Sequence, residues 1–324
     1  MDQYVNSSFS FQLPTLQLVI DQTSLGEFKL CPRRYWYRVV LGYVPRETSY
    51  HLTFGLLMHK AREDYEHAKA KGADHEEALR IAFRNALHAT WNKETGKPWD
   101  SGDHKRKKTR LTLLRTIVWY LDTYGKDDTA KTRILKNGKP AVELSFKFIP
   151  KDFYNGREFT ALTGEPIFFA GHFDRLADFQ GAYYICDTKT TGMNYLGDSY
   201  FSQFSPDNQV SFYTYAGKWG LQEEVTGVLI DAIQLQVTGS KFERREIPRK
   251  NPELVEWLED TRTWINLMGI YAESDRWPMN DKSCGYMGGC PYRDLCSRSP
   301  GARKSWMEAA YVKSPWDPAV ARSE

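Results

Sequence analysis

Two stretches typical of β-strands, on either side of Gln180-Gly181, constrain this chain more than any other feature. A tight turn there would pair the flanking strands antiparallel, so that residues whose numbers add to 361 face each other. Asp174 and Asp187 then lie opposite each other with Cβ atoms about 5 Å apart, and Lys189 shares their face because strand side chains alternate. Two carboxylates this close repel unless a cation lies between them. The hairpin therefore predicts a divalent-metal site.

The same hairpin has an ordinary alternative, in which its acids and its lysine are solvated on a surface. The apolar residues Tyr183, Tyr184 and Ile185 favour the metal site, because they place Asp187 at the end of a buried strand. Glu143, on a preceding predicted strand, is either a further acid of the site or a solvated residue.

The composition is that of a globular protein able to bury a sizeable core. The chain has 324 residues, of which 41% are hydrophobic and 26% charged. Its net charge of +3 means that any nucleic-acid surface must be a local patch. No apolar run approaches the roughly 18 residues of a membrane span, and the start of the chain does not resemble a signal peptide. We therefore expect a cytoplasmic protein without membrane contact.

Periodicity predicts the order of helices and strands. A capping box at Ser24-Leu25-Gly26-Glu27 is expected to open a helix that Pro32 interrupts. Further helices are predicted over 54–71, 75–91, 105–124, 206–219 and 252–273. Strands are predicted over 141–149, 157–161, 166–179, 182–190, 226–237 and 241–247. This order predicts an α/β fold with an irregular lead-in (1–21), a helical lobe containing Cys31 and His59 (22–140), a core (141–273) and a cysteine-rich segment with a tail (274–324).

Gly171-x-x-Asp174 followed by Asp187-x-Lys189 resembles the signature of the PD-(D/E)XK nuclease superfamily, in the branch that includes RecB-type nuclease domains and CRISPR adaptation nucleases. His59, in Gly55-x-x-x-His59, matches the histidine that this branch adds as a metal ligand. Gln209-x-x-x-Tyr213 matches its QxxxY motif, whose two side chains share a helical face.

The resemblance implies a restriction-endonuclease-like fold, with a central mixed sheet flanked by helices, and a metal-dependent deoxyribonuclease encoded by a prokaryote or a phage. It implies that Mg²⁺ or Mn²⁺ is held by His59, Asp174, Asp187 and the Thr188 carbonyl. Lys189 would position a water or stabilise developing negative charge, and Gln209 and Tyr213 would contact the DNA backbone or this lysine.

The five cysteines fall into two groups. Cys186 precedes Asp187 and is expected in the core. The other four are Cys31, Cys284, Cys290 and Cys296. Together they can bind either zinc or a [4Fe–4S] cluster, and their spacing in the sequence does not choose between these two metal centres. One cysteine before Pro32-x-x-Tyr35 and three near the end resemble iron–sulfur RecB/AddB-type nucleases, which implies a [4Fe–4S] cluster in a cysteine-rich C-terminal region.

Basic residues suggest two DNA-binding patches. The densest run is predicted to open the helix of 105–124, where it either contacts phosphates or forms a solvated face: Lys105, Arg106, Lys107 and Lys108. Arg33, Arg34 and Arg38 are second candidates.

The resemblance implies an exonuclease that favours single-stranded DNA ends. It would act in repair, recombination or phage- or CRISPR-type processing, and could have a helicase or recombination partner. The first alternative is a catalytically silent iron–sulfur subunit that binds DNA within a larger recombination complex, although the complete set of Asp174, Asp187 and Lys189 argues against it. The second is an electron-transfer or zinc-stabilised protein, and the wide separation of Cys31 from Cys284 disfavours a compact ferredoxin-like unit.

Overall fold

The computed structural model describes residues 11–12, 16–46, 49–103, 105–126 and 129–320. Its α-helices are α1 (Gln22–Leu30), α2 (Pro32–Tyr35), α3 (Tyr50–Ala70), α4 (His75–Ala89), α5 (Arg110–Tyr124), α6 (Asp198–Phe201), α7 (Asn208–Gly220), α8 (Asn251–Ser274), α9 (Arg293–Cys296) and α10 (Arg303–Ala310). A π-helix (Trp36–Val40) and three short 3₁₀ helices (Ser202–Phe204, Asp281–Gly288 and Pro300–Ala302) complete the helical segments.

The strands are β1 (Phe11–Gln12), β2 (Leu16–Gln17), β3 (Val19–Ile20), β4 (Tyr43–Pro45), β5 (Trp91–Asn92), β6 (Lys97–Pro98), β7 (Ala130–Thr132), β8 (Val142–Phe148), β9 (Phe168–Phe179), β10 (Ala182–Thr191), β11 (Val225–Leu235), β12 (Ser240–Pro248) and β13 (Tyr311–Lys313). Among the described residues, no helix is both long and apolar enough to cross a membrane.

Contacts divide the chain into two compact units. Unit 1 contains Met1–Glu47, Ser145–Gly171 and Lys250–Glu324, and unit 2 contains Thr48–Leu144 and His172–Arg249. The units are a division by contacts in space, whereas the boundaries expected from the sequence divide the chain lengthwise and remain a prediction.

The largest sheet has the order β12-β11-β10-β9-β3, and β7 and β8 also pair with β9. The pairs β10–β11 and β3–β9 are parallel, whereas β9–β10 and β11–β12 are antiparallel. Of the residues of β11, all but Thr226 are buried, as expected for a strand covered on both faces. Helices α3 and α7 contact β10, and α5 contacts β12. The predicted α/β fold with a central mixed sheet flanked by helices is therefore confirmed.

The hairpin of β9 and β10 has the predicted turn. Gln180 and Gly181 both have left-handed backbone angles, with φ of 54° and 81°, as a two-residue type I′ turn requires. The Asp178 carboxylate accepts a hydrogen bond from the Gly181 amide at 3.0 Å. Paired residues, from Ala182 with Phe179 to Cys186 with Arg175, have numbers that add to 361. The register inferred from the sequence is confirmed.

Helices α3, α4 and α5 of unit 2 share a core of their own. Phe54 and Tyr65 of α3 pack there with Ile117 and Tyr120 of α5. Helix α4 contributes a stripe of buried alanines at a spacing of four residues, which lets the helices approach closely: Ala78, Ala82 and Ala86. This core fixes α3, the helix that carries His59.

Three local predictions were wrong. Helix α1 begins at Gln22, because the Asp21 carboxylate accepts the Ser24 amide at 2.9 Å and forms the capping box with Ser24 as its third helical residue. The segment 157–161 makes isolated bridges with Lys151 and Pro166 instead of a strand. The helix expected from residue 105 starts at Arg110, with Thr109 as its N-cap.

Candidate active site

His59, Asp174 and Thr188 meet at one carboxylate oxygen in unit 2. His59 Nδ1 lies 3.0 Å from Asp174 Oδ2, and His59 Nε2 lies 3.1 Å from the Thr188 carbonyl oxygen. The Thr188 amide donates to the same Asp174 Oδ2 at 2.9 Å. A histidine on α3 and residues of β9 and β10 are thus brought together although they are far apart in the sequence.

Glu143 joins this group. The ligand atoms of His59, Glu143 and Asp174 all lie within 4.8 Å of one another, and no other set of three His, Cys, Asp or Glu side chains in the described part of the chain is as close. Glu143 has a left-handed φ of 49°. A non-glycine residue held in this conformation costs about 1–3 kcal/mol, and such strain clusters at functional sites.

Asp187 and Lys189 form the second half of the site. Lys189 Nζ lies 2.7 Å from Asp187 Oδ2 and donates to Gln209 Oε1 at 2.8 Å. Although Lys189 is close, Asp187 Oδ2 accepts no well-oriented hydrogen bond from the described residues. The buried Asp187 side chain is only 5% exposed, so this oxygen is a buried acceptor with spare capacity.

Tyr213 lies one turn beyond Gln209 on α7, but it makes a different contact. Its buried ring packs edge-on against Phe173, with ring centroids 5.3 Å apart. Gln209 therefore reaches the lysine, and Tyr213 packs beside the residue that precedes Asp174.

The surroundings of the site shift the pKa values of its two aspartates in opposite directions. Burial alone would raise the pKa of Asp174, but the His59 imidazole and the Thr188 amide hold it below its ordinary value. Burial raises the pKa of Asp187, and the Asp174 charge raises it further although Lys189 opposes this. Burial tends to lower the pKa of His59, but the Asp174 carboxylate outweighs it and raises this pKa to about 9. Without a bound cation, the imidazole is therefore protonated at neutral pH and both ring nitrogens donate.

The residues present fit a divalent cation. The donor set is rich in carboxylate and carbonyl oxygens, the ligands that Mg²⁺ prefers, and an imidazole is compatible with Mn²⁺. Asp187 Oδ2 has unused acceptor capacity, and the repulsion among Glu143, Asp174 and Asp187 is the kind that a cation relieves.

A family model described as the PD-(D/E)XK nuclease superfamily matches residues 21–297, which is 277 of the 324 residues. This chain belongs to that superfamily. Among solved structures, a provisionally named exonuclease from Eubacterium rectale has 11% identity and a TM-score of 0.48, over 87% of this chain and 89% of its own. A protein called SSO0001 has 12% identity and a TM-score of 0.31, over 87% and 88%. Both likenesses are remote, a search of curated proteins finds no match, and membership rests on the family model.

In this member of the nuclease superfamily, the four cysteines outside the sheet gather in unit 1. Burial raises the pKa of the Cys290 thiol, and Cys31 and Cys284 are near enough to raise it further. Cys296 is likewise affected by Cys290 and Cys31. The Cys290 amide donates to the Cys284 carbonyl at 2.9 Å, and the Asn280 amide donates to Cys31 Sγ at 3.3 Å. Cys186 is buried elsewhere, as predicted.

No three of these four thiols have sulfur atoms within 4.8 Å of one another. Their arrangement therefore does not choose between zinc and a [4Fe–4S] cluster.

The arginines near the cysteines have partners within unit 1. Arg34 forms an ion pair with Glu27, Arg33 Nε donates to the Trp277 carbonyl at 2.6 Å, and Arg38 lies over the Trp316 ring at 5.0 Å. Arg34 also lowers the pKa of Cys290, and Arg33 that of Cys296. These contacts suit a negatively charged centre, and the expected DNA contacts of Arg33, Arg34 and Arg38 remain predictions.

Sequence patterns did not identify Tyr200 as part of the surroundings of the site. Its side chain is buried, and burial together with the Asp187 charge raises the pKa of its hydroxyl to about 12. Tyr200 lies on α6, a single helical turn that is too short to show a periodicity.

Proposed function

We propose that this protein is a metal-dependent deoxyribonuclease. Membership of the superfamily supports the coarser class, a nuclease that hydrolyses phosphodiester bonds. The observation that carries the finer proposal is the convergence of His59, Glu143 and Asp174 beside a lysine that is held between Asp187 and Gln209.

A divalent cation held by His59, Glu143, Asp174, Asp187 and the Thr188 carbonyl would neutralise the scissile phosphate and lower the pKa of an attacking water. The side chains do the remaining work. His59 and the Thr188 amide fix the orientation of the Asp174 carboxylate.

Lys189 donates a hydrogen bond to the negative charge that develops on the phosphate oxygens. Burial tends to lower the pKa of Lys189, but Asp187 outweighs burial and raises it. Lys189 therefore retains its proton at neutral pH and is suited to stabilise charge, not to accept a proton from water.

The test uses end-labelled and circular DNA with Mg²⁺ or Mn²⁺. The Asp187→Asn and Lys189→Met variants should lose at least about 100-fold in kcat, as expected when a group that stabilises the transition state is removed. Their binding of DNA should change little. Asp260→Asn, an exposed change of the same chemistry on α8, is the matched control. Wild-type rates in either active-site variant would refute the assignment, and no cleavage by the wild type with either metal would favour the silent DNA-binding subunit.

The resemblance to RecB-type nucleases supports a preference for single-stranded DNA ends. Linear single strands should then be degraded, while circular single strands and blunt duplexes resist. Cleavage of circular single strands at a comparable rate would make the enzyme an endonuclease. A helicase or recombination partner in repair, recombination or phage- or CRISPR-type processing is proposed on the same resemblance.

We also propose that Cys31, Cys284, Cys290 and Cys296 bind a [4Fe–4S] cluster. The gathering of the four thiols in unit 1 and the nearby arginines support it. Protein purified without air should contain about four irons per chain. Cys31→Ser should lose them and become sensitive to protease, whereas Cys186→Ser, at the fifth cysteine, should keep its iron. Stoichiometric zinc without iron would refute the cluster and leave the nuclease proposal standing.

A further inference from the structure

The basic turn, Lys105 to Lys108, contacts the end of the strand that carries Asp187 and Lys189. Lys107 Nζ donates to the Gly192 carbonyl at 2.7 Å and to Asn194 Oδ1 at 2.9 Å. Lys108 Nζ lies 3.4 Å from the hydroxyl of Thr190, the residue that follows Lys189. Both ammonium groups thus hold the chain as it leaves β10.

The same turn contacts the start of the helix that carries His59. Lys108 Nζ lies 5.8 Å from the centre of the Phe54 ring, a cation–π arrangement. Phe54 precedes His59 by five residues, or about 7.5 Å along a helix. The Asp103 carboxylate is near enough to the Tyr50 hydroxyl, in the first turn of α3, to raise its pKa.

Asp103 fixes the shape of the turn. Its carboxylate accepts hydrogen bonds from the amides of Lys105, Lys107 and Lys108 at 3.0, 2.9 and 2.7 Å. Lys108 is only 6% exposed, whereas Lys105 and Arg106 are exposed. A lysine buried to this degree is seldom available to a phosphate.

We propose that the basic turn is divided between two roles. Lys107 and Lys108 are positioning residues, which hold the end of β10 and the start of α3 so that Asp187, Lys189 and His59 keep their geometry. Lys105 and Arg106 face solvent and contact the phosphates of the DNA strand. This inference rests on the proposed nuclease function.

The experiment compares three variants of the full chain. Lys107→Met should lower kcat by roughly 10- to 100-fold, because small misplacements of reacting groups are costly, with little change in KM or in the salt dependence of DNA binding. Lys105→Ala with Arg106→Ala should raise Kd and flatten the log–log salt slope by about 1.4, or 0.7 for each contact on a single strand. Lys93→Met, at an exposed lysine of the same unit, is the matched control.

A second measurement separates positioning from general destabilisation. Asn194→Ala removes a partner of Lys107, so its effect on kcat should not add to that of Lys107→Met. Thr190→Val removes a contact of Lys108 and should weaken Mn²⁺ binding measured by calorimetry several-fold. It tests the role of Lys108 without replacing this buried lysine.

The outcomes are distinct. If Lys107→Met flattens the salt slope and leaves kcat and Mn²⁺ affinity unchanged, the lysine is a phosphate contact and the proposal is overturned. The proposal would also be overturned if the effects of Lys107→Met and Asn194→Ala on kcat added in the variant that carries both. If the wild type cleaves no DNA, the proposed function fails, while Mn²⁺ affinity of Lys107→Met and Thr190→Val still decides whether the turn positions the site.

Discussion

The proton on His59 should make metal binding strongly dependent on pH. In the metal-free protein, both ring nitrogens face acceptors and the pKa is about 9. A cation that coordinates the imidazole must displace one proton. At pH 7 this displacement costs about 2.7 kcal/mol, which is two pH units at 1.36 kcal/mol each.

The direction of the pH dependence follows from the competition between the proton and the cation for His59. Because the pKa is raised, His59 carries its proton throughout the neutral range, and affinity falls as pH falls below about 9. Between pH 7 and pH 8 the affinity for Mn²⁺ should therefore rise about tenfold.

Calorimetry in buffers of different ionisation enthalpy gives the number of protons released. About one proton per Mn²⁺ is expected at pH 7.5 from the wild type and close to none from His59→Ala. Asp174→Asn removes the charge that raises the pKa of His59. The affinity of this variant for Mn²⁺ should therefore be lower but nearly independent of pH above 7. Binding by the wild type without proton release would refute the assignment of His59 as a ligand.

Three further predictions concern stability. In metal-free protein, the His59–Asp174 ion pair contributes its full stability to the folded state below about pH 6.5, and this contribution is lost as pH rises through 9. The Tm should therefore fall between these two pH values, and it should fall less in His59→Ala. Glu143→Gly relieves a left-handed backbone and should keep or raise Tm while weakening Mn²⁺ binding, measured by thermal scans and calorimetry. Gly227→Ala would place a methyl group against the Ile247 carbonyl and should lower the free energy of unfolding in urea by about 3 kcal/mol or more, whereas an equally stable variant would show that β11 and β12 can move apart.

The hairpin could be predicted because its determinants are local. Turn geometry at Gln180-Gly181 sets the register, and the register places Asp174 and Asp187. Long helices such as α3 and α8 were predicted within a few residues because their apolar period repeats over several turns.

Other features depend on contacts that no local pattern records. The basic turn does not begin a helix, because Arg106 has a left-handed φ of 54°, which a right-handed helix cannot contain. The helix is capped by Thr109 instead. The left-handed angle of Glu143 has no signal in residue type, since glycine or asparagine would be expected there. The cysteine-rich tail has short helices, among them α9, whose few residues carry too little periodicity to predict.

The order in which the chain is made has a consequence for the thiols of unit 1. Cys31 and Cys284 are 253 residues apart in the sequence, so at about 5–20 residues per second the first thiol waits roughly 13–50 s for the others. All of unit 2 is synthesised during that interval. Until the tail arrives, Cys31 is an unpartnered thiol open to oxidation. The proposed cluster would therefore be inserted only after every residue of the candidate active site has been synthesised.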